Sequence, residues 1–137
     1  MIEPRHPEAG HPCTRHHCDA CCWGTTLSLL DEDIGRLRDA GHRDFTVADA
    51  EGSLRLRTVG GRCVFLGPRG CTVYPIRPDG CLLYPAVYYE EEDEVDWDDF
   101  CPYRAEFALT PGIVLRVLRG VWLDDRQALL RRARARR

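Results

Sequence analysis

Apolar and polar positions change period several times along the chain, and each change marks an element. Ile34, Leu37 and Ala40 recur at helical spacing behind Asp31, with Gly41 following. This predicts a short helix capped by Asp31 and stopped by Gly41. Residues 53–59 (SLRLRTV) alternate as a half-buried strand does. Gly60-Gly61 predicts a tight turn into a second strand at 62–66, and the GPRG at 67–70 a further turn into a short strand at 71–74. Residues 75–85 (PIRPDGCLLYP) place three prolines and a glycine around one cysteine, which predicts a rigid loop presenting Cys81. A strand at 86–89 (AVYY) follows. Thr110-Pro111 is a helix start, and that helix would bury Ile113, Val114, Val117, Leu118 and Val121. A last helix from about residue 125 would turn Leu129 and Leu130 inward and its arginines outward.

These elements predict a small, irregular α+β domain, stabilised by metal, with short antiparallel strands and C-terminal helices around a cysteine site. Its buried set would be Leu27, Leu29, Ile34, Leu37, Val64, Phe65, Val73, Ile113, Val117, Leu118 and Trp122. Residues 1–12, with Pro4, Pro7, Pro12 and Gly10, form an irregular arm; 13–102 form a cysteine-cluster domain; 103–137 form a helical extension packed on it. Trp97 and Phe100 would anchor the acidic loop beside them. At 137 residues there is room for one domain.

Composition closes several routes. All 19 basic residues are arginine, and neither lysine nor asparagine occurs. The absence of both reflects GC-rich coding, and it removes Schiff-base and P-loop lysine chemistry. The net charge of -3 is segregated: residues 90–99 carry eight acids, and residues 126–137 carry six arginines. Both runs read as solvated faces; the acidic run could also meet the tail or recruit a hard cation. An acidic balance opposes wholesale nucleic-acid binding. The N-terminal stretch MIEPRHPEAG has no apolar run, and the longest apolar stretch, 113–118, is interrupted by Arg116. The expectation is therefore no membrane span and a cytoplasmic location, where thiols stay reduced.

Eight cysteines in a reducing compartment point to metal rather than to disulfides. Cys13, Cys18, Cys21 and Cys22 lie within ten residues as C-x4-C-x2-C-C, while Cys63, Cys71, Cys81 and Cys101 are dispersed. The dispersed four stand beside Gly61, Gly70, Gly80 and Pro102, where backbone N–H groups can approach a thiolate. A C-x2-C pair grips one tetrahedral ion, but adjacent Cys21 and Cys22 point in different directions and more readily address two metal atoms. This favours a multinuclear or paired site over a lone zinc. His6, His11, His16 and His17 flank the first group and read as solvated or supporting residues.

The succession Cys13-x4-Cys18-x2-Cys21-Cys22, Gly61-x-Cys63, Gly70-Cys71-x2-Tyr74, Arg77-Pro78-x2-Cys81-x2-Tyr84-Pro85 and Cys101-Pro102 resembles the YkgJ-type cysteine-cluster family, known by its CxxCxxCC signature. The resemblance runs from residue 13 to residue 102. The first spacing is four residues where the signature has two, and Leu82 stands where the family often places an arginine. The resemblance implies chelation of zinc or an iron-sulfur cluster by Cys13, Cys18, Cys21, Cys22, Cys63, Cys71, Cys81 and Cys101. Some relatives are described as flagellin lysine methylases, but no glycine-rich loop follows a strand here to hold S-adenosylmethionine. The main expectation is thus a metal-binding module, leaning away from an enzyme. The alternatives are a cluster-dependent redox or protein-modifying enzyme, and a nucleic-acid or protein adaptor that uses the arginine tail.

Overall fold

The computed structural model describes residues 20–24, 27–68 and 70–136. The arm at 1–12, with Cys13, Cys18 and the four N-terminal histidines, lies outside the described residues. The fold is small and mixed α+β. Strands β1 (Ser28–Leu29), β2 (Thr46–Ala48) and β3 (Leu54–Leu56) form an antiparallel sheet in the order β1-β3-β2. Helix α1 (Asp31–Asp39) follows β1 directly. Three two-stranded antiparallel ladders come next: β4 (Thr58–Val59) with β5 (Arg62–Cys63), β6 (Leu66–Gly67) with β7 (Gly70–Cys71), and β8 (Ala86–Tyr89) with β9 (Glu94–Trp97). The short helix α2 (Asp79–Leu83) lies between β7 and β8, and α3 (Pro111–Ala135) closes the chain.

The core is made by α1, the three-stranded sheet and the loops that follow. Leu29, Ile34, Leu37, Phe45, Leu56, Cys63, Phe65, Leu66 and Val73 form one buried cluster. The Ile34/Leu37 face predicted from the helical period is buried, because those positions share one side of α1. Leu37 is fully buried. Its replacement by alanine is expected to lower stability by about 2–5 kcal/mol, through lost transfer energy and a cavity. Urea unfolding of the full chain measures this.

Several predicted elements take a different form. Asp31 is the first helical residue rather than the cap; Asp33 reaches back, its Oδ2 accepting from Leu30 N at 2.9 Å. The strand read over 53–59 is interrupted at Arg57, whose N–H turns to Phe45 O at 2.9 Å. The strand read over 62–66 splits about the turn at 64–65, and only Cys71 of the 71–74 stretch is in a strand. The Gly60-Gly61 turn is present, with φ of 62° and 81°. Both residues are left-handed, as a type I′ hairpin requires, and Val59 pairs with Arg62 across it.

The two predicted C-terminal helices are one. Thr110 caps it, its Oγ1 accepting from Ile113 N at 3.2 Å, with Pro111 in the first turn. The helix runs without a break through residue 125, where a second helix was expected to start, and Asp124 Oδ2 accepts from Ser53 Oγ at 3.2 Å beside it. Val117 and Ala128 are the buried residues of α3. Leu118, Trp122, Leu129 and Leu130, expected to point inward, are exposed, as is Val64. The helix docks through polar contacts: Asp31 N donates to Gln127 Oε1 at 2.9 Å, Arg119 pairs with Glu32 at 3.0 Å, Arg131 reaches Asp31, and Arg132 donates to Glu51 O. Those contacts favour the other side of the helix. Among the described residues no helix is long and apolar enough to cross a membrane.

The acidic run is half strand. Along β9, Glu94 and Asp96 are exposed while Val95 and Trp97 are half-buried, the alternation expected of a strand with one covered face. Trp97 packs near Phe107, their ring centroids 6.2 Å apart, whereas Phe100 is exposed.

Candidate metal centre

The dispersed cysteines are drawn together by short turns laid against one another. Cys21 and Cys22 occupy a single 3-10 turn, Ala20–Cys22. The next residues fasten that turn to the first hairpin: Trp23 forms a β-bridge with Arg62, and Gly24 N donates to Gly61 O at 2.6 Å. The vicinal pair therefore reaches the β4–β5 hairpin that carries Cys63. Beyond Cys63 the chain turns at Val64 and Phe65, and the Phe65 N–H donates to the Cys63 sulfur. The same geometry recurs at Cys71, where the Val73 N–H donates to sulfur. The second turn rests on the first, since Thr72 N donates to Phe65 O at 2.8 Å and Thr72 Oγ1 to the same oxygen at 2.9 Å.

Cys81 lies in α2 rather than in a loop. Pro78 fits the N-cap and Asp79 begins the helix. The Asp79 N–H, which no residue of α2 can satisfy, is taken by Asp33 Oδ1 at 3.0 Å. Arg36 grips the approach to α2 by donating to Ile76 O at 3.2 Å and to Arg77 O at 3.0 Å. Arg116 of α3 lies 3.9 Å from Asp79. Helix α1 and α3 thus brace the short helix that presents Cys81.

Electrostatics show that the thiols are neighbours. The Cys22 thiol is pushed up first by its hydrogen bond with Cys21, then by burial, then by repulsion from Cys21, Cys71 and Cys63. Burial raises Cys63, with Cys21 adding to it and the Phe65 N–H opposing. Burial also raises Cys71, with the Val73 N–H and Arg77 opposing and Cys63 and Cys21 adding. Cys81 is raised most by burial, then by Cys21, Cys71, Cys63 and Asp33. Five thiols, those of Cys21, Cys22, Cys63, Cys71 and Cys81, therefore share one electrostatic neighbourhood at the margin of the core.

Cys101 is buried to one side of them. Its N–H donates to Asp98 O at 3.2 Å, and Asp98 Oδ2 accepts from Tyr84 Oη at 2.5 Å. Tyr84 is raised by burial and by Asp98, and it feels both Cys21 and Cys101. The phenol therefore stands within charge reach of both the gathered thiols and Cys101.

The donor set fits a soft metal. Thiolates select zinc and iron-sulfur clusters over hard cations, and N–H···S bonds stabilise the anionic sulfur that such ligands present. Among the described residues, no group of three or more His, Cys, Asp or Glu side chains stands where it could hold a metal ion. The five thiols are gathered without closing on one point.

The family CxxCxxCC, described as a putative zinc- or iron-chelating domain, matches residues 12–102. The chain belongs to the CxxCxxCC family. The matched segment spans every cysteine discussed above, and chelation of zinc or iron is the chemistry its description assigns to that domain. No curated protein and no solved structure gives a significant match. Within this CxxCxxCC domain, sequence reasoning missed Asp33 and Arg36, which hold the α2 approach; Arg77, known from the sequence only as part of the Arg-Pro-x2-Cys step, is buried. A helical period that places Asp33 beside Ile34 was the available signal for the first. The donors at Cys63 and Cys71 are the N–H groups two residues onward, not the neighbouring glycines.

Proposed function

We propose that this protein is a metal-binding module whose cysteine thiolates hold zinc or an iron-sulfur cluster. The ligands would come from Cys21, Cys22, Cys63, Cys71 and Cys81, with Cys13, Cys18 and Cys101 completing the set. The observation that carries the reading is the pair of stacked turns in which the N–H groups of Phe65 and Val73 point at the sulfurs of Cys63 and Cys71. A buried free cysteine acting only as a small hydrophobe needs no such donors. The adjacency of Cys21 and Cys22 supports a centre with more than one metal atom. Residues 13–102 form the binding unit, with 103–137 an extension braced against it, and the module works in the cytoplasm, where its thiols stay reduced.

Metal analysis of anaerobically prepared full-length protein, with a visible spectrum, tests this. Zinc or iron at one or more per chain is expected, and visible absorption, which d10 zinc lacks, marks the cluster form. A metal-free protein that unfolds cooperatively and titrates all its thiols overturns the proposal.

A further inference from the structure

Helix α3 carries an apolar stripe that the rest of the chain leaves exposed. Leu115 is 66% exposed, Leu118 39%, Trp122 60% and Leu129 57%. Leu115, Trp122 and Leu129 stand seven residues apart, with Leu118 three after the first, so they line one outward face. A seam that repeats every three and a half residues is what one helix presents to another of the same pattern. Apolar surface gathered in this way on a folded chain marks an interaction site. The charges beside the stripe are sorted. At about 100° per residue, Arg119 and Arg126 fall on one flank and Asp125 on the other. Asp125 and Arg126 are both exposed. Arg126 leans over the stripe, its Cζ 5.6 Å from the centroid of the Trp122 ring.

We propose that α3 is a dimerisation helix, pairing in parallel with α3 of a second copy of this chain about a two-fold axis. In a parallel pair each flank meets the opposite flank of the other helix. Arg126 then stands against Asp125 of the second copy, and symmetry forms that pair twice. Leu115, Leu118, Trp122 and Leu129 meet their own counterparts along the seam. An antiparallel pair would bring like flanks together and set Arg119 against Arg126 of the second copy, a repulsive contact. Farther along, Arg131 and Arg132 turn inward to Asp31 and to Glu51 O, clear of the seam. A lipid surface would suit the arginine flank but not Asp125. The inference goes beyond metal binding and does not depend on it.

Sedimentation velocity of the full-length protein, kept reduced and anaerobic so that no intermolecular disulfide forms, tests this. Wild type should sediment as a concentration-dependent dimer. Trp122→Ala should weaken association by about 100-fold or more, because the two-fold axis places the loss in both subunits. Arg126→Asp and Asp125→Arg should each weaken it about 10-fold, by setting like charges together. Mixed in equal amounts, these two variants should pair with close to wild-type strength, since each supplies the charge that the other lacks. The substituted side chains are exposed, so far-ultraviolet circular dichroism should not change; if Trp122→Ala unfolds, the charge-reversal variants decide. A wild type that stays monomeric up to about 100 μM overturns the proposal, and flotation of that monomer with phosphatidylserine vesicles would reassign the stripe to a lipid surface. A dimer that Trp122→Ala leaves intact, or a mixture no tighter than its components, also overturns it.

Discussion

Chelation of the full-length protein is expected to unfold it, with loss of amide protection at Val64, Phe65, Thr72 and Val73. The reason lies in the size of the elements. β4, β5, β6 and β7 are two residues each, and a two-stranded ladder is at best marginal alone in water, even when longer. Cys63, Phe65, Leu66 and Val73 belong to the core cluster, so releasing these turns also opens the cluster around Leu37. Structural zinc sites contribute on the order of 10–16 kcal/mol to folding, against about 5–15 kcal/mol for the net stability of a whole domain. Removal of the ion should therefore be decisive. Hydrogen exchange and far-ultraviolet circular dichroism before and after chelation measure it. Unchanged protection at those four amides would show that the turns stand without metal.

Asp33→Ala should be the most damaging single change outside the cysteines, costing about 3–5 kcal/mol. The carboxylate is fully buried. It accepts from Leu30 N at 2.9 Å, Asp79 N at 3.0 Å and Arg36 Nη2 at 3.0 Å. Alanine would leave two backbone donors unsatisfied and take the carboxylate partner from Arg36, which keeps only its carbonyl contacts to Ile76 and Arg77, at the junction of α1 with the segment that carries Cys81. Asp33→Asn keeps the shape but turns an N–H toward a donor, so a smaller loss of about 1–3 kcal/mol is expected. Burial outweighs the three donors and raises the Asp33 pKa above its ordinary 3.8. A raised carboxyl contributes stability that is complete below 3.8 and is lost as pH climbs through the folded value. The wild-type advantage over Asp33→Asn should accordingly narrow as pH rises from that region. Urea unfolding of both proteins at several pH values checks the sign, and an advantage that widens with pH would refute it.

Much of the local structure was legible. The Ile34/Leu37 period gave α1, the Gly60-Gly61 pair gave its hairpin, and Thr110-Pro111 gave the start of α3, because each depends on neighbours in the chain. Elements that failed did so where a distant partner decided the outcome. A second helix was expected to start at about residue 125, but one helix runs unbroken from Pro111 to Ala135, docked in its middle by Asp124 on Ser53. The proline-rich 75–85 stretch contains α2 because Asp33 satisfies its first N–H. β1 spans two residues and β2 three, too few for alternation to register. Trp122 and Leu129 fit an inward helical stripe equally well, but polar contacts to Asp31, Glu32 and Glu51 docked the other side of α3.

The same division holds for the candidate centre. Sequence alone set the expected donor chemistry and the family: eight cysteines in a recognisable order, a vicinal pair suited to more than one metal atom, and no lysine chemistry. Only the tertiary structure decided which thiols share a neighbourhood, that Phe65 and Val73 supply the N–H donors, and that Asp33 and Arg36 hold the approach to Cys81. Side-chain chemistry travels with residue type and can be read in order along a chain. Proximity across a fold depends on turns stacking and burying surface together, and no local pattern records it.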